Sequence, residues 1–246
     1  MNSGSWRRTL GWILVFVSVI LAIGTSLYLG ERKHEEAEAG ETAMEALASV
    51  KNEIVNHVVE SVSCDVEKIQ NNEDESIVTK VSKIINTETR KVAEEGGNTG
   101  LATYFAGLDV DKDREMPVIS KNDAYYIGVI TIPDINVELP VQSTWSYPKL
   151  KKTPCRYYGS IFTDNLVIAG HNYQKHFGEL KNVRTGDLVI FTDAEGTMYK
   201  YTVAEKEILK PTDVNKLKHT EYPLTLFTCT VGGETRTVIR CTKAHY

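Results

Sequence analysis

Three side chains with complementary chemistry stand at the ends of short apolar segments in the C-terminal half of the chain. Cys229 ends the run Thr225-Leu226-Phe227-Thr228, and Arg236 follows seven positions later. His171 comes directly after the run Leu166–Gly170. A thiol, an imidazole and a guanidinium are the groups that acyl transfer through a thioester needs. The sequence therefore predicts a cysteine nucleophile that is assisted by a histidine and an arginine.

Each of these residues also has an ordinary structural interpretation. Most cysteines are small buried side chains, and a histidine at a strand end is usually a polar surface residue. His176 competes with His171, but it falls in a loop. Arg240 lies on the same strand face as Arg236, so both arginines are candidates. Arg236 is favoured because it lies nearer the turn that follows Cys229.

The elements that must position these residues are short strands, which begin at about residue 120. The predicted strands are Tyr126–Ile132, Val137–Val141, Ser160–Phe162, Leu166–Gly170, Leu188–Thr192, Met198–Leu209, Leu224–Cys229 and Arg236–Thr242. About eight short strands with little helix between them predict a mainly β fold that closes into a barrel.

The N-terminal part of the chain predicts a membrane anchor. Leu10–Leu29 is an apolar run that, as a helix, spans roughly 30 Å, the thickness of a bilayer core. Arg7 and Arg8 precede it, which predicts a cytoplasmic N-terminus and an extracellular C-terminal part. A cleaved signal peptide is the alternative, but its apolar region is usually only about 7–15 residues long. The length of the run favours an uncleaved anchor.

The region after this run predicts an acidic helical stalk. Residues 31–100 carry 16 acidic and 8 basic side chains, a net charge of −8 in a chain whose total is −5, so the remaining residues sum to +3. Apolar residues recur at helical spacing before a break at Asn71–Asp74 and again after it: Leu47, Val50, Ile54, Val58, Val62, Ile77, Val81, Ile84 and Ile85. We expect a helical hairpin over about 34–95 that packs on itself or on the barrel; pairing with a second chain is the alternative.

Charge and cysteine content argue against several classes of protein. The negative net charge and the lack of a basic cluster argue against nucleic-acid binding. Cys64, Cys155, Cys229 and Cys241 lack zinc-site spacing and are too few for a disulfide scaffold. A bridge between Cys155 and Cys241 stays open, whereas a nucleophilic Cys229 must stay reduced. We expect neither a metal nor a cofactor.

Several segments together resemble the sortase family. Thr225-Leu226-Phe227-Thr228-Cys229 followed by Arg236 is similar to the Thr-Leu-x-Thr-Cys motif and arginine strand of sortases, and Ala169–Asn172 is similar to their Gly-His segment. Ile127–Ile135 resembles the opening strand of their barrel. The resemblance covers about residues 118–246. It implies an eight-stranded sortase-type barrel that is the catalytic domain, residues 118–246. Together with the N-terminal patterns described above, the predicted domain order is 1–9 cytoplasmic tail, 10–29 transmembrane helix, 30–117 acidic helical stalk and 118–246 catalytic barrel.

The resemblance also implies an activity and its residues. Cys229 would attack a C-terminal sorting motif of the Leu-Pro-x-Thr-Gly type on secreted proteins of Gram-positive bacteria. An amine of a peptidoglycan precursor, or another amine, would then resolve the thioacyl enzyme. His171 would be the acid and base, Arg236 would stabilise the oxyanion, and Thr228 would contact the substrate. The class would be B-like or D-like rather than the pilus-polymerising class C.

Two other functions are weighed against this interpretation. A cell-wall L,D-transpeptidase or cysteine peptidase would also use a thiol, but the chain has no Ser-His-Gly-Cys segment, and His171 lies 58 residues before Cys229. A non-catalytic surface adaptor would need only the anchor, the stalk and a binding barrel. The fold alone does not decide among them, because barrels host many functions.

Overall fold

The structure is a computed structural model of the chain, and it describes residues 3–70, 114–218, 221–230 and 232–244. The helices are α1 (Ser3–Gln70), α2 (Tyr147–Leu150) and α3 (Val214–Lys218), with short 3-10 helices at Pro133–Ile135 and Phe177–Asn182. The strands are β1 (Ile119–Lys121), β2 (Ala124–Ile132), β3 (Val137–Gln142), β4 (Cys155–Tyr158), β5 (Leu166–Gly170), β6 (Leu188–Asp193), β7 (Met198–Leu209), β8 (Leu224–Cys229) and β9 (Arg236–Lys243).

Eight of these strands close into a barrel, which confirms the predicted fold class. The strand order is β1-β2-β3-β4-β5-β8-β9-β7-β6, and a further pairing of β2 with β6 closes the circle. β1 forms a short hairpin with β2 outside the closed ring. Most neighbours are antiparallel, but the pairs β3–β4 and β5–β8 are parallel. The ends of β5 and β8 therefore lie at the same edge of the barrel. That edge carries the residues with predicted chemistry.

Strand alternation separates an inner core from an outer apolar cluster. The inner core draws side chains from seven barrel strands, with Leu224 and Leu226 of β8 among them. The outer cluster contains Phe227 of β8 and is covered by Leu150 of α2 and Leu217 of α3. Alternate residues of one strand therefore point to opposite sides of the barrel wall, as the pleat requires.

The third strand of the barrel is β4 (Cys155–Tyr158), so the predicted strand at Ser160–Phe162 is wrong. That segment forms a turn in which Asp164 has a positive φ of 53°. The Asn165 side chain closes the turn by accepting hydrogen bonds from the backbone N–H of Ser160 at 3.1 Å and the Thr163 hydroxyl at 2.6 Å. The two apolar residues of the segment fill the inner core from this turn, which explains their character without a strand.

α1 is a single helix that joins the apolar run to the barrel. The side chains of residues 12–29 are exposed, and within the described residues α1 is the helix long and apolar enough to be a candidate membrane anchor. Farther along, Ala46, Val50 and Ile54 are buried against β1 and β2. The first half of the predicted stalk thus packs on the barrel. The predicted second helix, from Ile77 to Ile85, lies outside the described residues, and the division at residues 9, 29 and 117 stays a prediction.

A glycine in β2 permits the closure of the barrel. Gly128 pairs with Val141 of β3 and with Asp193 of β6, and it adopts a positive φ of 146°. A Cβ at this position would stand 2.0 Å from the Thr192 carbonyl oxygen, a backbone atom that cannot move away without shifting β6. The residue must therefore be glycine for both steric and conformational reasons.

We expect Gly128→Ala to destabilise the protein by about 3 kcal/mol, because it combines backbone strain with a clash. The matched control is Gly186→Ala, which shares a positive φ (96°) but has no atom within 4 Å of an added Cβ. It should cost only about 1 kcal/mol. Urea unfolding of the detergent-solubilised chain measures both values. Equal losses for the two variants would show that the close approach of β6 contributes nothing.

Candidate active site

The three residues predicted to carry chemistry meet at one edge of the barrel. In the parallel pair of β5 and β8, Gly170 is in register with Thr228. In the antiparallel pair of β8 and β9, Cys229 is in register with Arg236. His171 follows Gly170 directly, so it comes next to Cys229 on the neighbouring strand. The end of β5, the end of β8 and the start of β9 therefore place the three residues side by side.

These residues also share the outer face of the barrel wall. Ala169, Phe227 and Val238 are paired side by side across β5, β8 and β9, and all three belong to the outer cluster. Each predicted residue lies two positions from one of these three, toward the edge of the barrel. Because side chains alternate along a strand, the histidine, the cysteine and the arginine continue that outer face. The outer cluster forms the apolar floor next to them.

Cys229 differs from the two other cysteines of the barrel. Cys155 and Cys241 are fully buried free thiols, and burial raises the pKa of each to about 12. Cys229 is partly exposed at the end of β8 and is also free. Only a thiol that solvent or substrate can reach is able to react as a nucleophile. Of the three barrel cysteines, Cys229 alone meets this condition.

His171 is held between aromatic rings. Its imidazole stacks on the Tyr173 ring with centroids 3.8 Å apart, and the Tyr147 ring lies 6.4 Å away. Burial lowers the pKa of His171; the nearby Lys151 ammonium lowers it further, and the Glu35 carboxylate opposes them. Its Nδ1 is buried and without a hydrogen-bond partner among the described residues. The imidazole is therefore largely neutral at neutral pH.

α1 reaches this histidine through Tyr173. The Tyr173 hydroxyl donates to Glu35 Oε2 of α1 at 3.2 Å, and Lys151 Nζ lies 3.1 Å from Glu35 Oε1. The pKa of Tyr173 is raised to about 12, first by burial and then by the Glu35 charge, so the hydroxyl remains a donor. The Gln174 backbone N–H donates to the Glu36 carboxylate in the next contact along α1. These contacts of Glu35 and Glu36 were not predicted from the sequence, because the acidic composition of this stretch indicates a solvated stalk.

His176, the competing histidine, is a packing residue. It is fully buried, and burial lowers its pKa to about 4, so it is neutral. Its Nε2 lies 3.4 Å from the Ala39 carbonyl oxygen, and since that oxygen can only accept, Nε2 carries the proton. His176 thus fastens the loop after β5 to α1 and does not belong to the outer face that carries Cys229.

Arg236 is placed by the turn between β8 and β9. Its Nη1 donates to the carbonyl oxygens of Gly233 and Thr235, both at 3.1 Å. Thr230 and Thr235 close the turn through backbone and hydroxyl hydrogen bonds of 2.9–3.3 Å. The Asn172 side chain donates to the Thr230 carbonyl oxygen at 3.2 Å, which ties the histidine loop to this turn. The two bonds of Arg236 use one nitrogen of a guanidinium that has five N–H groups.

Arg240, the reserve candidate, lies elsewhere. It pairs in register with Thr225, four residues before Cys229, and is only 3% exposed. Its guanidinium contacts Glu207 at 2.6–2.7 Å, the Thr225 hydroxyl at 3.1 Å and the Lys216 carbonyl oxygen at 2.7 Å. These bonds hold α3 against the barrel. Arg240 is therefore a structural residue.

Thr228 faces the barrel interior. It alternates with Phe227 and Cys229, so it shares the inner face with Leu226. Its hydroxyl is buried and has no partner among the described residues. This placement keeps its side chain away from the outer face that carries Cys229. The predicted substrate contact at Thr228 consequently has no support from the geometry.

The coupling between α1 and His171 has a measurable consequence. We expect Glu35→Gln to lower the pKa of His171 further, because it removes a negative charge that favours the imidazolium. Lys151→Met should raise it, because it removes a positive charge. Histidine NMR titration of the isotope-labelled protein measures both shifts, with His171→Gln used to assign the signal.

The control variant for this titration is Lys51→Met, which breaks a surface ion pair of the same helix with Glu138 at 2.8 Å, far from the site. It should leave the titration of His171 unchanged. Shifts in the same direction for Glu35→Gln and Lys151→Met would contradict the contact between α1 and the histidine loop.

The described residues contain no group of three or more His, Cys, Asp or Glu side chains that could hold a metal ion. The arrangement at the edge of the barrel is a partly exposed thiol, a largely neutral imidazole and a guanidinium on a shared face. Such an arrangement can perform nucleophilic acyl transfer with proton transfer and anion stabilisation.

Comparison with known proteins identifies related sequences and structures. A family model described as the sortase domain matches residues 130–244. The putative sortase YwpE of Bacillus subtilis is 33% identical over 82 residues, which cover 31% of this chain and 79% of YwpE. Sortase A of Staphylococcus aureus is 32% identical over 130 residues, 48% of this chain; the match spans 62% of sortase A, less than two thirds of its length. The crystal structure of sortase C1 from Streptococcus suis is 26% identical with a TM-score of 0.43, covering 49% of this chain and 74% of that one.

Proposed function

The chain belongs to the sortase family, and on that premise we propose that it is a membrane-anchored cysteine transpeptidase. Its substrates would be secreted proteins that carry a C-terminal sorting motif of the Leu-Pro-x-Thr-Gly type. The observation that carries this proposal is the row formed by His171, Cys229 and Arg236 on the outer face at one edge of the barrel.

Each residue of the row has a role in the proposed reaction. His171 accepts the proton of the Cys229 thiol, and the sulfur attacks the carbonyl carbon of the scissile peptide bond. The resulting tetrahedral oxyanion is stabilised by the Arg236 guanidinium and by backbone N–H groups. The C–N bond then breaks, and His171 in its protonated form gives a proton to the leaving amine. The products of this half-reaction are a thioester on Cys229 and the released C-terminal fragment.

The second half-reaction returns the enzyme to its starting state. An amine of a peptidoglycan precursor, or another amine acceptor, attacks the thioester carbonyl while His171 removes its proton. A new amide bond forms, the C–S bond breaks, and the released Cys229 thiolate takes the proton back from His171. The thioester conserves the energy of the cleaved peptide bond, so no external energy source is needed.

The membrane orientation completes the proposal. Arg7 and Arg8 precede the apolar part of α1, which favours a cytoplasmic N-terminus and an extracellular barrel. This orientation places the barrel where secreted proteins and cell-wall amines are available. The setting that the proposal assumes is the cell surface of a Gram-positive bacterium.

The experiment that tests the function uses the full chain in detergent. It is incubated with a library of sorting-motif peptides and an amine, and products are identified by mass spectrometry. We expect an amide between the N-terminal peptide fragment and the amine. Without amine, the intact protein should gain the mass of that fragment, and hydroxylamine should remove it. A library without any cleaved member would reject the proposal and favour a non-catalytic adaptor. Equal turnover by Cys229→Ala would reject Cys229 as the nucleophile.

A further inference from the structure

The barrel lies along α1 in a defined direction. Glu35 and Ala39 contact the loop that follows β5, next to the catalytic row. Val50 and Ile54 contact β1 and β2 farther along the helix. Val58 reaches the hairpin between β6 and β7, where it would touch a Cβ added to Gly196. The catalytic edge of the barrel is therefore the end nearest to the apolar part of α1.

The length of the helix converts this direction into a distance from the membrane. Leu29 ends the apolar run, and Glu35 follows six residues later in the same uninterrupted helix. At 1.5 Å per residue, the two are about 9 Å apart along the axis. Val58 is about 44 Å from Leu29 by the same measure. With the apolar run in a bilayer, the catalytic edge stands close to the headgroups and the opposite end of the barrel does not.

The loop between β3 and β4, residues 143–154, projects at this membrane-near edge. Lys151 of the loop contacts Glu35, and the Tyr147 ring lies 6.4 Å from His171. Trp145 and Tyr147 are 46% and 58% exposed, unusual values for large aromatic residues. The loop contains three lysines and no acidic residue.

Hydrogen bonds of Gln142 and Ser146 hold the backbone of the β3–β4 loop in place. The buried Gln142 side chain donates to the Lys149 carbonyl oxygen at 3.1 Å and to the Thr153 hydroxyl at 2.8 Å. The Ser146 hydroxyl caps α2 by accepting from the Lys149 backbone N–H. The two aromatic rings are thus presented outward by an ordered loop.

We propose that the β3–β4 loop docks on the anionic lipid headgroups of the membrane that holds α1. Tryptophan and tyrosine favour the interface between headgroups and acyl chains, and lysine favours an anionic lipid surface. Trp145 and Tyr147 supply the first kind of contact, and Lys149 and Lys152 the second. The inference rests on the membrane anchoring stated under Proposed function. It adds that the catalytic edge faces the bilayer surface.

The experiment uses the full chain in nanodiscs and the fluorescence of single tryptophans. The chain contains Trp6, Trp12 and Trp145, so Trp6→Phe/Trp12→Phe leaves the loop residue as the only reporter. Trp6→Phe/Trp145→Phe leaves Trp12, which reports on the anchor. A control for the far end of the barrel replaces all three tryptophans by phenylalanine and adds Glu195→Trp, in the hairpin beside Val58.

The quencher is a lipid that carries a nitroxide on its headgroup, in nanodiscs containing phosphatidylglycerol. Trp145 is expected to lose a fraction of its fluorescence comparable with that of Trp12, while the Glu195→Trp reporter loses almost none. Quenching of Trp12 without quenching of Trp145 would overturn the docking proposal and leave the anchor intact. If Trp12 itself escapes quenching, the anchor fails and the docking proposal fails with it.

The lysines test the electrostatic part in the same assay. Lys149→Glu/Lys152→Glu should reduce the quenching of Trp145 at least about twofold in phosphatidylglycerol nanodiscs, with the quenching of Trp12 unchanged. The matched control is Lys200→Glu/Lys206→Glu on β7, away from the loop, which should not change either signal. If the quenching of Trp145 is unchanged in Lys149→Glu/Lys152→Glu, the recognition of anionic lipid is overturned. Loss of peptide affinity in Trp145→Ala together with absent quenching would instead assign the aromatic pair to the substrate.

Discussion

Cys229→Ala is expected to lower transpeptidation of a sorting-motif peptide by at least about 10³-fold, because no other residue of the row can form the thioester. The variant should keep its unfolding temperature, since Cys229 is partly exposed at a strand end and fills no cavity. The rate of amide product formed with excess amine measures the loss, and circular dichroism measures the stability.

The two buried barrel cysteines provide the matched controls for this result. Cys155→Ala and Cys241→Ala remove thiols whose pKa burial raises to about 12, so they should keep activity within about threefold while losing stability, as core truncations do. Iodoacetamide should label Cys229 and neither of these thiols in the folded protein, in a Cys64→Ser background. Undiminished labelling of the Cys229→Ala variant, or a comparable loss of activity in the control variants, would assign the nucleophile to another cysteine.

The position of the proposed catalytic row, His171, Cys229 and Arg236, was predictable from local patterns. The apolar runs that end at Gly170 and Cys229 are strands in the structure with the predicted bounds. Their parallel pairing brings both ends to one edge, and alternation along β9 puts Arg236 on the face of Cys229. Alternation could not separate Arg236 from Arg240, because both satisfy it. The difference lies in what covers the far end of β9, where α3 and Glu207 bury Arg240.

The contact between α1 and the catalytic edge was not predictable from the hydrophobic pattern. The buried face of α1 recurs at helical spacing, but its first half consists of Ala39, Ala43 and Ala46. Alanine contributes little to an apolar stripe, so the pattern indicated a face that begins only at Leu47. Gly40 has the same effect, because its missing side chain lets Lys175 approach the helix. Small residues thus bring α1 close to the barrel, and the acidic residues beside them contact the histidine loop.

The strand error has a related cause. Ile161 and Phe162 are apolar because they fill the inner core from a turn, whereas β4 has the mixed sequence Cys-Arg-Tyr-Tyr. β4 pairs with β5 over most of its length but shares a single pair with β3. A strand with polar residues and few paired neighbours gives only a weak signal in the hydrophobic pattern of the sequence. Its position depends on long-range pairing, which local sequence does not contain.

The two arginines of β9 allow an effect on the reaction rate to be separated from an effect on stability. We expect Arg236→Met to lower kcat/KM for the peptide by roughly 10²–10³-fold, because it removes the cation beside the developing oxyanion. Its effect on unfolding should be small, since its hydrogen bonds are to carbonyl oxygens of its own exposed turn. Arg240→Met should do the opposite. Removing one partner of the buried contacts with Glu207 and α3 should cost about 3 kcal/mol of stability.

Steady-state kinetics and urea unfolding, measured on both variants, decide between these roles. Arg236→Lys adds a further test, because a lysine keeps the charge but not the planar set of donors. Partial recovery of kcat in Arg236→Lys relative to Arg236→Met would assign the effect to charge, whereas no recovery would assign it to the geometry of the guanidinium. If Arg240→Met, assayed well below its unfolding temperature, lost as much kcat/KM as Arg236→Met, the catalytic row would have to include the far end of β9. The register of β8 and β9 argues against that, because it places Arg240 opposite Thr225, four residues from the nucleophile.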